Sequence, residues 1–97
     1  MKLRILKKKG ADDTILLTMI GDLTIYTAAK LKGLLLNELK AFSGVVLNLS
    51  GIDEADTAGF QLLLFLRREA ESSGKTFLID DASARVKSIF SLYNEII

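Results

Sequence analysis

Cysteine and histidine are both missing from the 97 residues, and so is proline. Without cysteine there is no disulfide and no thiolate nucleophile, and without histidine the usual zinc ligand and the commonest general acid/base are gone. Catalysis would have to rest on carboxylates, lysines or hydroxyls, and neither a metal nor a cofactor is implied. An excess of one charge is also lacking: 13 Lys and Arg face 12 Asp and Glu, a net +1 that gives no global field to gather nucleic acid or an anionic membrane. The longest apolar run, Leu62 to Leu66, is far short of the roughly 20 residues of a membrane span. The first ten residues, Met1 to Gly10, hold too short an apolar stretch for a signal-peptide core, and cysteine-free composition suits a reducing compartment. A cytoplasmic location with no direct membrane insertion is therefore expected. With no proline, no long linker and no internal repeat, residues 1–97 are expected to form a single domain.

What is present suits a folded domain, since 49% of the residues are apolar and 26% charged. Leu3 and Ile5 alternate with Lys2 and Arg4, a period-two pattern for a lysine-rich edge strand. The break at Lys9 to Asp13 is followed by the β-branched and apolar run Thr14 to Ile20, so a hairpin is expected, closed by Gly21-Asp22. Thr24 is placed to cap a helix that runs to about Phe42, with Ile25, Ala28, Leu31, Leu35, Leu36, Leu39 and Phe42 on one face. Lys32 falls inside that apolar arc, where its stem would snorkel to water. Val45 to Leu49 reads as a central strand buried on both faces, Ser50 to Asp56 as a polar loop, and Thr57 to Glu71 as a second helix stopped by Gly74. Thr76 to Ile79 repeats the buried-strand pattern, and Val86, Ile89, Phe90 and Tyr93 form the stripe of a third helix. The sum is an α/β fold: a mixed four-stranded sheet, an N-terminal hairpin plus two central strands, packed by three to four helices.

Chemistry concentrates where the central strand hands over to the second helix. Loops at the carboxyl ends of strands in open α/β sheets are where ligands and partners bind, and this one carries Ser50, Asp53, Glu54 and Asp56 beside the hydroxyl of Thr57. A hydroxyl just before a helix can accept from the first free amides, and a phosphate placed there would face the positive helix end. From the residues alone the capping reading is the stronger, because a cap and a phosphoacceptor both need a hydroxyl at the same place, and the three acids suit a helix start.

The segment Val45-Val46-Leu47-Asn48-Leu49-Ser50-Gly51-Ile52-Asp53-Glu54-Ala55-Asp56-Thr57-Ala58-Gly59-Phe60-Gln61-Leu62-Leu63 resembles the signature of STAS domains, a strand ending in an Asp-Leu-Ser-Gly-like turn followed by Asp-Ser/Thr-x-Gly and a helix. Gly21-Asp22-Leu23-Thr24 and Gly74 to Ile79 are similar to the flanking elements of that family, so the resemblance spans nearly the whole chain. It implies a phospho-switch of the anti-sigma factor antagonist kind. Thr57 would be the phosphoacceptor of a serine/threonine kinase that is also the anti-sigma factor, reversed by a cognate phosphatase. Asp56 would shape the acceptor loop and Gly59 would admit the partner's backbone, with Asn48, Ser50, Asp53, Glu54, Ala58 and Gln61 completing the partner-binding surface. Asn48 stands where the family often has aspartate. The Asp-Thr-Ala-Gly form is similar to STAS proteins of lipid-transport ABC assemblies or chemotaxis-linked operons, in which the threonine helps form an interface.

Three readings follow. The first is a partner-switching module, a monomer or weak dimer that regulates transcription or signalling. The second is an accessory subunit docking to the ATPase of an ABC lipid transporter through the same loop and the second helix. The third is a small enzyme with Asp53 and Asp56 as paired carboxylates, which the lack of histidine and of a phosphate-cradling glycine loop disfavours. No Walker-type motif supports nucleotide binding.

Overall fold

The computed structural model describes residues 3–93; Lys2, read above with the first strand, and residues 94–97 lie outside it. The first strand, β1 (Leu3–Lys9), pairs antiparallel with β2 (Thr14–Leu23), as the alternating pattern requires. Asp12 and Asp13 make the hairpin turn with φ of 57° and 58°, a left-handed geometry that short polar side chains tolerate. The Asp13 carboxylate also accepts from the amide and hydroxyl of Ser43, at 3.1 and 2.8 Å, which pins the turn to the start of the next strand.

Helix α1 (Ile25–Ala41) leads to β3 (Gly44–Ala55), α2 (Thr57–Ser72) to β4 (Thr76–Ala82), and α3 (Ala84–Leu92) ends the described chain. The strand order is β1-β2-β3-β4, with β3 parallel to both β2 and β4. β3 is central, as expected. β4 is not: it forms the second edge, where Leu78 is 59% exposed, because only one of its faces meets helices. The described residues hold three helices.

Burial divides the sheet cleanly. Ile15, Leu17 and Met19 of β2 and Val45, Leu47 and Leu49 of β3 are buried under the helices, against Leu31 and Leu35 of α1 and Leu63 and Leu66 of α2. The residues between them are only half-buried, so the run 45–49 serves one core and not two. At α1 the expected face holds for Leu31, Leu35 and Leu39, but Ile25 is 64% exposed. It sits in the first helical turn, at the rim of the sheet, and Thr27 is buried in its stead. The Thr27 hydroxyl is satisfied there, donating to the Asp22 carbonyl at 2.8 Å and accepting from the Thr24 amide at 3.1 Å. Lys32 lies 4.5 Å over the ring of Phe65, a cation–π contact that accounts for a lysine in an apolar arc.

The largest departure from the sequence reading is in β2 and β3. Gly21-Asp22 does not end β2, and Ser50 to Ala55 is not a loop. Both strands continue side by side, pairing Gly21 with Ile52 and Leu23 with Ala55 across two register shifts. Gly21, at φ 123°, supplies backbone freedom at one shift, and Leu23 and Ile52 bury their side chains on the extended pairing. Helix α2 does end as expected, with Gly74 at φ 70° and the Lys75 amide returning to the Ala70 carbonyl at 2.8 Å.

Leu47→Ala, at a fully buried site, is expected to lower the unfolding free energy by about 2–5 kcal/mol in urea denaturation, whereas Lys30→Ala on exposed α1 should shift it by less than about 0.5 kcal/mol.

Candidate functional site

The extension of β3 carries the chain to Asp56 beside the start of α1. Asp56, not Thr57, is the N-cap of α2: one carboxylate oxygen accepts from the Gly59 amide at 3.1 Å. Its other oxygen accepts from the amide of Ile25, the first residue of α1, at 3.0 Å. One side chain thus serves two helix N-termini, whose partial positive charges both favour a carboxylate. The two helix starts are held together by it, 31 residues apart in sequence.

Because Asp56 caps the helix, the Thr57 hydroxyl is left over. Thr57 is exposed at the first helical position, and its Oγ1 lies 3.4 Å from the Tyr93 hydroxyl. Tyr93 is held by stacking on Phe60, with ring centroids 4.6 Å apart and planes 15° off parallel, while Phe60 meets Phe90 edge-on at 5.1 Å. The stripe read for the third helix therefore places its last aromatic over the threonine.

Gly59 is buried, and the close approach it permits is internal. A Cβ there would stand 2.3 Å from the Leu23 carbonyl oxygen, so the glycine seats α2 against the end of β2. Ala58 and Gln61 face a shallow groove between α1 and α2, floored by Ala28, Leu62 and Phe65 and flanked by Lys32. Ile25 and Tyr26, 64% and 77% exposed, form an apolar lip at the same end, since the Ile25 amide is bonded to Asp56. Sequence reading missed both. The helical period assigned Ile25 to the core and left Tyr26 off the stripe, and neither pattern registers that the first turn overhangs the sheet.

The remaining expected residues are dispersed. Asp53 is exposed, and Glu54 pairs with Arg85 of α3 at 3.4 Å, both side chains largely in water. Asn48 and Ser50 stand apart: the Asn48 oxygen accepts from the Ser50 amide at 2.9 Å and its hydroxyl at 2.6 Å, beside the register shift in β3. Five residues of extended strand separate Ser50 from Asp56, on the order of 15–20 Å at the usual strand rise. Among the described residues, no three carboxylates gather to hold a metal ion, and no helix is long and apolar enough to cross a membrane.

The family model described as "Mlab, STAS domain" matches residues 6–94. The chain belongs to the STAS domain family. Solved structures agree in fold. An anti-sigma factor antagonist from Mycobacterium paratuberculosis superposes with a TM-score of 0.83 at 14% identity, covering 96% of this chain and 79% of that one. A candidate anti-sigma factor antagonist from Thermotoga maritima gives 0.82 at 25% identity, covering 93% and 78%. The phosphorylated form of the Bacillus cell fate determinant SpoIIAA gives 0.74 at 15% identity, covering 93% and 83%.

In this STAS domain the double cap makes a quantitative expectation. Asp56→Ala should cost about 1–3 kcal/mol of stability, because it strips acceptors from two helix starts. Asp56→Asn should cost less, since its single oxygen still caps Gly59 while its amide cannot accept from Ile25. Urea unfolding of the three proteins side by side reads the order; an Asp56→Asn variant as stable as wild type would show that the Ile25 bond contributes nothing, and equal loss in both variants that the Gly59 cap contributes nothing.

Proposed function

We propose that this STAS domain is a cytoplasmic partner-switching module, not an enzyme, in which an unmodified Thr57 permits docking to a serine/threonine kinase anti-sigma factor and phosphorylation ends it. The observation that carries the reading is that Asp56 takes the capping role and leaves the Thr57 hydroxyl without one, on an exposed residue at the first position of α2 whose Oγ1 meets only the Tyr93 hydroxyl, at 3.4 Å, among the described hydrogen bonds. That division separates the two roles which the sequence alone leaves merged. The likeness to anti-sigma factor antagonists, one of them in its phosphorylated form, supports the general kind.

The physics of the switch is local. Phosphorylation adds about −1.5 to −2 charges beside Asp56. The first-turn amides of α2 have no helical carbonyl of their own and soften that charge without cancelling it. The phosphoryl group would also displace or bind the Tyr93 hydroxyl, now at 3.4 Å. A partner seated on the Ile25 and Tyr26 lip and the α1–α2 groove would meet a new dianion at the patch's edge. Both oxygens of Asp56 are engaged by backbone amides, which supports a structural carboxylate over a general base.

A second reading, docking to the ATPase of an ABC lipid transporter through the same surface, is supported by the Asp56-Thr57-Ala58-Gly59 form of the motif, which resembles that of STAS proteins of lipid-transport assemblies. It requires no phosphate and predicts copurification with that ATPase.

Incubation with a serine/threonine kinase anti-sigma factor from the same organism and ATP should add one phosphate to wild type and none to Thr57→Ala. Thr57→Glu should bind the kinase at least about tenfold more weakly than wild type, about 1.4 kcal/mol. Equal binding by the glutamate variant would overturn the switch; tight, phosphate-independent binding to a transporter ATPase would favour the second reading.

A further inference from the structure

The face of the sheet turned away from the helices is apolar through its middle. Lys7 of β1 reaches Glu38 of α1 at 2.7 Å, so the odd-numbered residues of β1 face the helices and Arg4, Leu6 and Lys8 face the other way. The register places Lys8, Leu16, Val46 and Leu78 in one row across all four strands, with Leu6, Thr18, Asn48 and Asp81 in the next and Arg4 and Ile20 beyond. Leu6 is 49% and Leu78 59% exposed, while Leu16, Ile20 and Val46 are half-buried. The charges are sorted by edge. Arg4 and Lys8 lie on β1, whereas β4 carries Asp81 and the exposed Asp80, the extra residue at the register shift.

We propose that this face is the contact surface of a reversible homodimer, two sheets packed face to face about a two-fold axis running along the strands. That operator lays β1 of each copy over β4 of the other and keeps the rows level. Leu16 then meets the partner copy's Val46 and Val46 its Leu16, and Asp81 falls at a height between the partner copy's Lys8 and Arg4. Both rims become complementary at once, which is the requirement of an isologous contact. A two-fold axis across the strands would instead stack base on base and acid on acid. The same sorting disfavours an anionic lipid or nucleic-acid surface, which would meet the acidic rim as well as the basic one. Four strands at about 4.8 Å spacing and five or six residues of rise give roughly 400 Å² of face per copy, half of a standard interface, so the dimer is weak.

Sedimentation equilibrium of the full chain from about 5 to 500 µM is the test, with thermal melting to confirm that each variant folds. Wild type should approach twice 10.7 kDa at the high end. Leu78→Lys, which sets a cation against the partner copy's Lys8, should weaken association at least tenfold. The pairs Arg4→Glu/Lys8→Glu and Asp80→Lys/Asp81→Lys should each weaken it alone, yet an equimolar mixture of the two should associate as wild type does, because both rims of the mixed dimer are again opposite in sign. Wild type that stays at chain mass throughout overturns the proposal, as does a dimer that all three variants leave intact. Flotation of monomeric wild type with phosphatidylserine vesicles would likewise overturn it in favour of a lipid surface.

Discussion

The carboxylate of Asp56 organises the functional end of this domain. It accepts from the first turn of α2 and from the first residue of α1, and so joins the two helices that flank the groove. The interaction depends on β3 running twelve residues to Ala55, since a strand that stopped at Leu49 would leave the aspartate free to wander on a loop. Parallel pairing with an equally extended β2 provides that rigidity. Gly59 then lets α2 sit directly on the Leu23 carbonyl, where any side chain would hold the helix off.

From this geometry the chemistry of Thr57 follows. A helix start needs one good side-chain acceptor, and once Asp56 provides it the neighbouring hydroxyl has no capping role. Its environment is instead made by a distant part of the chain: Tyr93, stacked on Phe60, touches it from the end of α3. A charge added at Thr57 would be felt by the first turn of α2, by the aromatic stack and by whatever occupies the Ile25–Tyr26 lip. The site is thus a junction of three helices assembled around one small polar residue.

The two faces of the sheet serve different ends. One supplies the core, through residues such as Leu17, Leu47 and Leu49 that are almost wholly buried. The other keeps Leu6, Leu16, Val46 and Leu78 on a four-strand surface with opposite charges at its edges. A strand composed of apolar residues on both faces is ordinary in a sheet covered twice; here helices cover it once, and the second face is left to intermolecular contact.

Much of this was legible in the order of residues. The hairpin, the helices and the α/β class follow from periods of two and 3.6, which are local consequences of backbone geometry and of which side must be dry. The spacing Asp56-Thr57-Ala58-Gly59 after an apolar strand marked the functional end. The sequence by itself determined which residue types meet at that junction and the direction in which the chain turns there. Only the tertiary structure decided which of two adjacent polar residues caps the helix, that the loop expected from Ser50 to Asp56 is strand as far as Ala55, that Ile25 is exposed, and that the Tyr93 hydroxyl meets that of Thr57. Each of these depends on a neighbour more than thirty residues away or across a sheet, and no local periodicity encodes the position of such a neighbour until the core has set the distance.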